Sequence, residues 1–200
     1  MELQRGSGEL EKLNEELNDE QVLADYKRPY DNYQTSFFPR MLGGLLVWCG
    51  NVVYGENPSY LKFRAVEVIA RVPYQSWNSA AYTLLTLFYR DEKKALKLSC
   101  LAKYARMAGD NETMHVVVIS MLAEAEAKAG TVRHTLIPML FAFFYFWVSY
   151  LLFLINPRYS YELNYLFESH AFEQYDRFLK LEGPELRKKP IQSEFLEWYG

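Results

Sequence analysis

Polar and apolar positions fall into blocks along this chain rather than being mixed. Residues 7–24 place Leu10, Leu13, Leu17 and Val22 at roughly helical spacing among Glu, Lys and Asn, which predicts an amphipathic segment within a polar leader, residues 1–36. From Phe37 to Tyr54 runs an apolar block broken by Arg40 and by Gly43-Gly44. It is short and flawed for a transmembrane span and better suited to a helix lying in a membrane interface. Asn57-Pro58 predicts a helix start, with Asn as cap and Pro at the first helical position, and the helix carries Glu67. Pro73 then kinks or ends its first half, and the pattern resumes from Ser79 to Phe88.

Asp91 opens a long charged, alanine-rich helix through Lys94, Leu98, Tyr104 and His115 to Ala129, closed by Gly130. Thr135 to Ile155 carries no charge. At ~1.5 Å per residue it reaches about 30 Å, the thickness of a hydrocarbon core. Alone it reads as transmembrane; Pro138 and the unbroken aromatic content also suit a helix immersed in one leaflet. Asn156-Pro157 stops it and starts a polar helix carrying Tyr161, Tyr165, Glu168, His170 and Tyr175 to about Leu181. Residues 182–200, with Pro184 and Pro190, read as a polar tail. Nothing alternates with a strand period and no repeat is evident, so the expected class is all-α.

Composition narrows this only in places. A chain of 200 residues has room for one core. Its 16 Tyr, 13 Phe and 4 Trp make it aromatic-heavy, yet a mean hydropathy of -0.20 is not that of a polytopic membrane protein. A net charge of -3 gives no electrostatic reason to expect a nucleic-acid partner. Cys49 and Cys100 lack CxxC spacing and are expected as reduced, packed thiols. The acidic stretch from Glu9 to Glu20 is unlike an Arg-rich transit peptide, and no signal-peptide apolar core precedes it.

The chemistry begins at Asn111-Glu112-Thr113-Met114-His115. Three residues advance a helix by almost one turn, so Glu112 and His115 project from one face and can ligate one metal ion. Such a pair alone is usually an accident of two residues common on solvated helices. Carboxylate-bridged di-iron bundles, however, use two Glu-x-x-His pairs and two single glutamates from four helices. Glu67 is flanked by Val66, Val68 and Ile69, and a carboxylate there needs a partner, either a metal or Arg64 or Arg71. Of the histidines, His134 and His170 complete no Glu-x-x-His, and no HxxxH spacing supports a His-box desaturase.

Three ordered stretches carry a resemblance: Glu67-Val68-Ile69-Ala70-Arg71-Val72-Pro73-Tyr74, Asn111 to His115, and Glu168-Ser169-His170-Ala171-Phe172-Glu173-Gln174-Tyr175 with its continuation to Lys180. Together they resemble the alternative oxidases, in particular the plastid terminal oxidase branch, from about Phe37 to the end. The resemblance implies a ferritin-like di-iron four-helix-bundle fold, with interfacial membrane helices at 37–54 and 135–155 inside a domain spanning 37–181. It implies a usually homodimeric quinol oxidase on a membrane surface, plastid, thylakoid or cyanobacterial-type, which reduces dioxygen to water with electrons from plastoquinol or ubiquinol at two non-haem irons.

By motif position Glu67, Glu112, His115 and Glu168 would be iron ligands and Tyr175 a redox-active electron donor. Lys62 stands where the family usually has Arg and Gln174 where it usually has Thr, both where the quinol docks. The family's second Glu-x-x-His helix has no counterpart before Gly200, so the expected bundle is C-terminally incomplete, with four of six ligands. The competing expectation is a truncated, non-catalytic, membrane-associated homologue that assembles no di-iron centre.

Overall fold

The computed structural model describes residues 19–30, 32–126 and 128–188, and these contain helices and connections but no strand. The expected Leu10, Leu13 and Leu17 stripe and the tail beyond residue 188 lie outside the described residues. The chain divides into two compact units, Met1–Thr35 and Ser36–Gly200. In the first, α1 (Glu20–Lys27) is capped by Asp19, whose carboxylate accepts from the backbone N–H groups of Gln21 and Val22. One 3₁₀ turn, Arg28–Tyr30, follows.

The second unit is built from α2 (Phe37–Tyr54), α3 (Tyr60–Ala70), α4 (Val72–Phe88), α5 (Glu92–Glu126), α6 (Ile137–Ile155) and α7 (Pro157–Leu186). α3 starts later than Asn57-Pro58 predicts. Ser59 is the cap, its Oγ accepting from the N–H of Lys62 at 3.3 Å. Both stretches are competent caps, and the register that buries Phe63, Ala65 and Glu67 decides between them. Pro73 does what its chemistry demands. The helix breaks at Arg71, and Pro73 sits in the first turn of α4, where its missing N–H leaves no hydrogen bond unmade.

Asp91 caps α5 by accepting from the N–H of Lys94 at 3.1 Å. α5 ends at Glu126, short of the expected Ala129. A π-helical turn, Val132–Leu136, precedes α6. Asn156 caps α7 as expected, and that helix continues through Pro184 to Leu186, past the expected end at Leu181.

α4 packs along both α5 and α6, α3 along α5 and α6, and α2 and α6 against α7. Gly43 brings α2 close to α7: a Cβ there would meet Leu166 Cδ1 at 3.1 Å. The core is strung along the bundle in three groups, around Phe63 and Phe178, around Ile69, Tyr145 and Leu163, and around Trp77 and Phe153. Burying a side chain such as Phe63 contributes about 1.5–3 kcal/mol. On α2 the side chains of Phe37, Trp48 and Val52 stay exposed, and on α6 those of Phe144, Trp147 and Ile155. Cys100, expected to be packed, is exposed, and Cys49 is intermediate. A sparse apolar pattern along α5 left the facing of Cys100 undetermined.

Candidate metal centre

α3, α5 and α7 converge on Glu67. The first turn of α3 is pinned by Ser59, and Glu67 lies just over a full turn beyond Phe63, so both point into the bundle. Glu67 is only 5% exposed. Tyr175 on α7 stacks on Phe63 at a centroid separation of 4.1 Å and donates its phenolic hydrogen to Glu67 Oε1. The other carboxylate oxygen, Oε2, is buried without a hydrogen-bond partner.

Facing that oxygen is the Glu-x-x-His pair of α5. His115 Nδ1 lies 3.2 Å from Glu112 Oε2 and 3.9 Å from Glu67 Oε2. One candidate ligand atom from each of Glu67, Glu112 and His115 lies within 4.8 Å of the others. The His115 side chain is 39% exposed, which leaves the trio open on one side. The main charges acting on Glu67 are those of Glu112 and His115 rather than those of Arg64 and Arg71, its alternative partners.

Glu168 is not one of that trio. Its Oε1 accepts from Tyr74 Oη at 3.4 Å, and Tyr74 Oη accepts from Asn164 Nδ2 at 3.3 Å. Asn164 Oδ1 and Tyr145 Oη are also buried without partners. Tyr74 lies inside the first quoted stretch and Asn164 one turn before Glu168, but nothing in their spacing marked them. Two turns separate Glu67 from Tyr74, and that signal is blurred by the break at Arg71.

Burial pushes the Glu67 and Glu168 carboxyls up, Glu168 to about 7, with the neighbouring carboxylates adding to the effect. The hydrogen bond to Glu112 raises His115. Burial and the Glu67 charge push the Tyr175 phenol far up. Carboxylates crowd together here with no Lys or Arg of the described residues among the main charges acting on Glu67 and Glu168, an arrangement that a divalent cation would offset.

Lys62 and Gln174 also meet: Lys62 Nζ donates to Gln174 Oε1 at 3.3 Å, to Asn51 Oδ1 at 3.1 Å and to the carbonyl of Gly55 at 2.8 Å. Burial, with Arg177 nearby, lowers the Lys62 ammonium. Both residues border an apolar cavity of about 50 Å³, which His170 and Phe141 also line. That volume is room for a few water molecules. His134 is elsewhere, its Nδ1 accepting from the N–H of Gly130 at 3.0 Å.

Residues 39–189 match the family model described as alternative oxidase. Over 144 residues the chain is 28% identical to "Ubiquinol oxidase 4, chloroplastic/chromoplastic" of Arabidopsis thaliana, a stretch covering 72% of this chain and 38% of that relative. No solved structure matches the chain significantly.

Proposed function

The chain belongs to the alternative oxidase family, and from that premise we propose that it is a di-iron quinol oxidase whose metal ligands include Glu67, Glu112, His115 and Glu168. The observation that carries this reading is Glu67 Oε2, buried, unpartnered and aimed at Glu112 and His115. Carboxylate oxygens with an imidazole suit iron that must reach higher oxidation states. Iron bound there would supply the site at which dioxygen is reduced to water. Of the ligands that the family resemblance implies, four have counterparts among the described residues and the second Glu-x-x-His has none there.

The protein's own side chains divide the work. Lys62 and Gln174 present a donor and an amide beside the apolar cavity, positioned to bind the hydroxyls of plastoquinol or ubiquinol. The cavity must widen to take a quinol ring, and the residues lining it from α2, α6 and α7 are the walls that would part. Tyr175 follows Gln174 in sequence and donates to Glu67, so its phenol links the cavity to the carboxylates and can pass an electron together with its proton. The stacked Phe63 ring excludes water on that side.

The exposed apolar faces of α2 and α6 support attachment to one membrane leaflet. Val132–Ile155 is long and apolar enough to cross, with 28% of its most apolar window buried. We place the protein on a plastid or thylakoid-type membrane, as a homodimer, on the strength of the family and of the relative's chloroplastic designation.

The test is iron per chain after anaerobic loading of the detergent-purified protein with Fe(II), beside Glu112→Ala and His115→Ala, followed by quinol-dependent oxygen uptake. Iron retained by the wild type and lost in both variants, with uptake that needs quinol, is the expected result. Iron no higher than in the variants overturns the reading in favour of a non-catalytic homologue.

A further inference from the structure

Beyond Glu168, on the side away from Tyr175, aromatic rings continue in contact. The Tyr74 ring, whose hydroxyl donates to Glu168, meets the Trp77 indole edge-on at 5.1 Å between centroids, and Trp77 meets Tyr161 edge-on at 4.8 Å. Trp77 is 4% exposed and its Nε1–H donates to Ser160 Oγ at 2.7 Å. Tyr161 is partly exposed and lines an open groove of about 350 Å³, beside Lys94 and Lys97. The ladder therefore starts at a carboxylate of the metal centre and ends at solvent. Each ring in it is Tyr or Trp, the two aromatic side chains that yield an electron to strong biological oxidants; Phe does not. Phe153, the next ring beyond Tyr161 in the core, closes the inward direction.

We propose that Tyr74, Trp77 and Tyr161 form a relay that carries oxidising equivalents from the carboxylate cluster to the surface groove when dioxygen is present and quinol is not. The relay goes beyond the oxidase activity but rests on that reading for its oxidant, a dioxygen-derived one-electron oxidant at the cluster. Trp77 loses one electron to it through the Tyr74 ring, leaving an indole radical cation whose N–H stays bonded to Ser160. Tyr161 returns one electron to the indole and releases its phenolic proton to water in the groove. A soluble thiol then gives one hydrogen atom to the tyrosyl radical, and two thiyl radicals combine as a disulfide. The direction is downhill because tyrosine oxidation is coupled at neutral pH to proton loss into water. Tyr175, on the quinol side, serves the electrons that arrive; Trp77 serves the oxidising equivalents that are left over.

The experiment uses the full chain loaded with Fe(II), given dioxygen without quinol, and read by freeze-quench electron paramagnetic resonance and by peptide mass spectrometry of oxidised side chains. Iron-dependent oxidation of Trp77 and Tyr161 is expected, several-fold above the iron-free chain. Trp77→Phe should cut oxidation of Tyr161 several-fold and raise it at Tyr74 and Tyr175, while Trp77→Tyr restores it. Tyr161→Phe, at the wall of the groove, serves if the Trp77 variants fail to fold, and should make oxidation accumulate on Trp77. Iron-dependent oxidation at Tyr175 and Tyr74 that leaves Tyr161 at the iron-free level, or that reaches Tyr161 equally in Trp77→Phe, overturns the relay and spares the metal centre. Absence of iron uptake, with no iron-dependent oxidation at any residue, overturns both.

Discussion

Two polar regions are buried in the same helical bundle and are treated in opposite ways. Between α4, α6 and α7, Ser76 Oγ and Ser149 Oγ are 2.8 Å apart, Ser149 Oγ and Ser160 Oγ 2.8 Å, and Trp77 Nε1 donates to Ser160 at 2.7 Å. All three serines are 0–1% exposed. Ser76 also donates to the carbonyl of Pro73. Small hydroxylated residues let the helices approach closely while every polar atom finds a partner. A turn or two away, Glu67 Oε2, Asn164 Oδ1 and Tyr145 Oη are buried and unsatisfied. A bundle that satisfies its serines so fully has the means to satisfy its carboxylates. Leaving polar atoms unpartnered in one region and none in the other marks the first as a site and the second as a fastening.

The largest effect should come from breaking the fastening. Trp77→Ala removes a core indole and the donor to Ser160, and is expected to lower stability by about 3–5 kcal/mol, read from chemical denaturation. Next comes the cation. If the carboxylate region is built for metal, Fe(II) at a free concentration about 100 times its Kd should stabilise the chain by about 2.7 kcal/mol. Anaerobic calorimetry with and without Fe(II) measures this, and Glu112→Ala should abolish the gain while leaving the metal-free transition near wild type.

The two regions then predict opposite signs for similar changes. Ser149→Ala removes one hydrogen bond from each of Ser76 and Ser160, which keep the Pro73 carbonyl and the Trp77 indole as partners, and should cost about 0.5–1.5 kcal/mol with or without metal. Glu67→Gln relieves a crowded carboxylate while its amide oxygen can still accept from Tyr175, so the metal-free chain should gain about 1 kcal/mol and lose iron binding. Equal destabilisation by both substitutions in the metal-free chain would erase the distinction.

Much of this architecture was legible in the sequence because it rests on local chemistry. Asn156-Pro157, Asp91 and Pro73 end or start helices by capping or by a missing N–H, and each does so where expected. The facing of Glu112 and His115 follows from three residues of helix, and the structure adds Glu67 to them. Lys62 and Gln174, far apart in sequence, were paired only through the resemblance, and they are 3.3 Å apart. What stayed hidden depends on tertiary packing. Tyr74 donates to Glu168 and Asn164 to Tyr74, Ser76, Ser149 and Ser160 looked like ordinary small residues, and Cys100 faces outward. None of these has a periodicity that distinguishes buried polar from exposed polar. The helix through Pro184 was missed because the chain tolerates the lost hydrogen bond near a helix end, where Arg187 N–H still reaches the carbonyl of Gly183.

The last expected effect is a pH dependence of the carboxylate region. Burial, and then the neighbouring Glu112 and Glu67, raise Glu168 from 4.5 to about 7, so the folded metal-free chain binds that proton more tightly than the unfolded chain does. A group shifted in this direction contributes its stability fully below the unfolded value and loses it as pH rises through the folded one. Stability of the metal-free chain should therefore fall between about pH 4.5 and 7. Glu168→Gln, which keeps an oxygen for Tyr74 but cannot titrate, should reduce that slope in chemical denaturation at a series of pH values and leave the part that belongs to Glu67, whose carboxyl burial also raises. Ser149→Ala should shift the whole profile down and leave its slope unchanged, because no serine titrates there. A slope unchanged in Glu168→Gln would place the titration elsewhere and remove Glu168 from it.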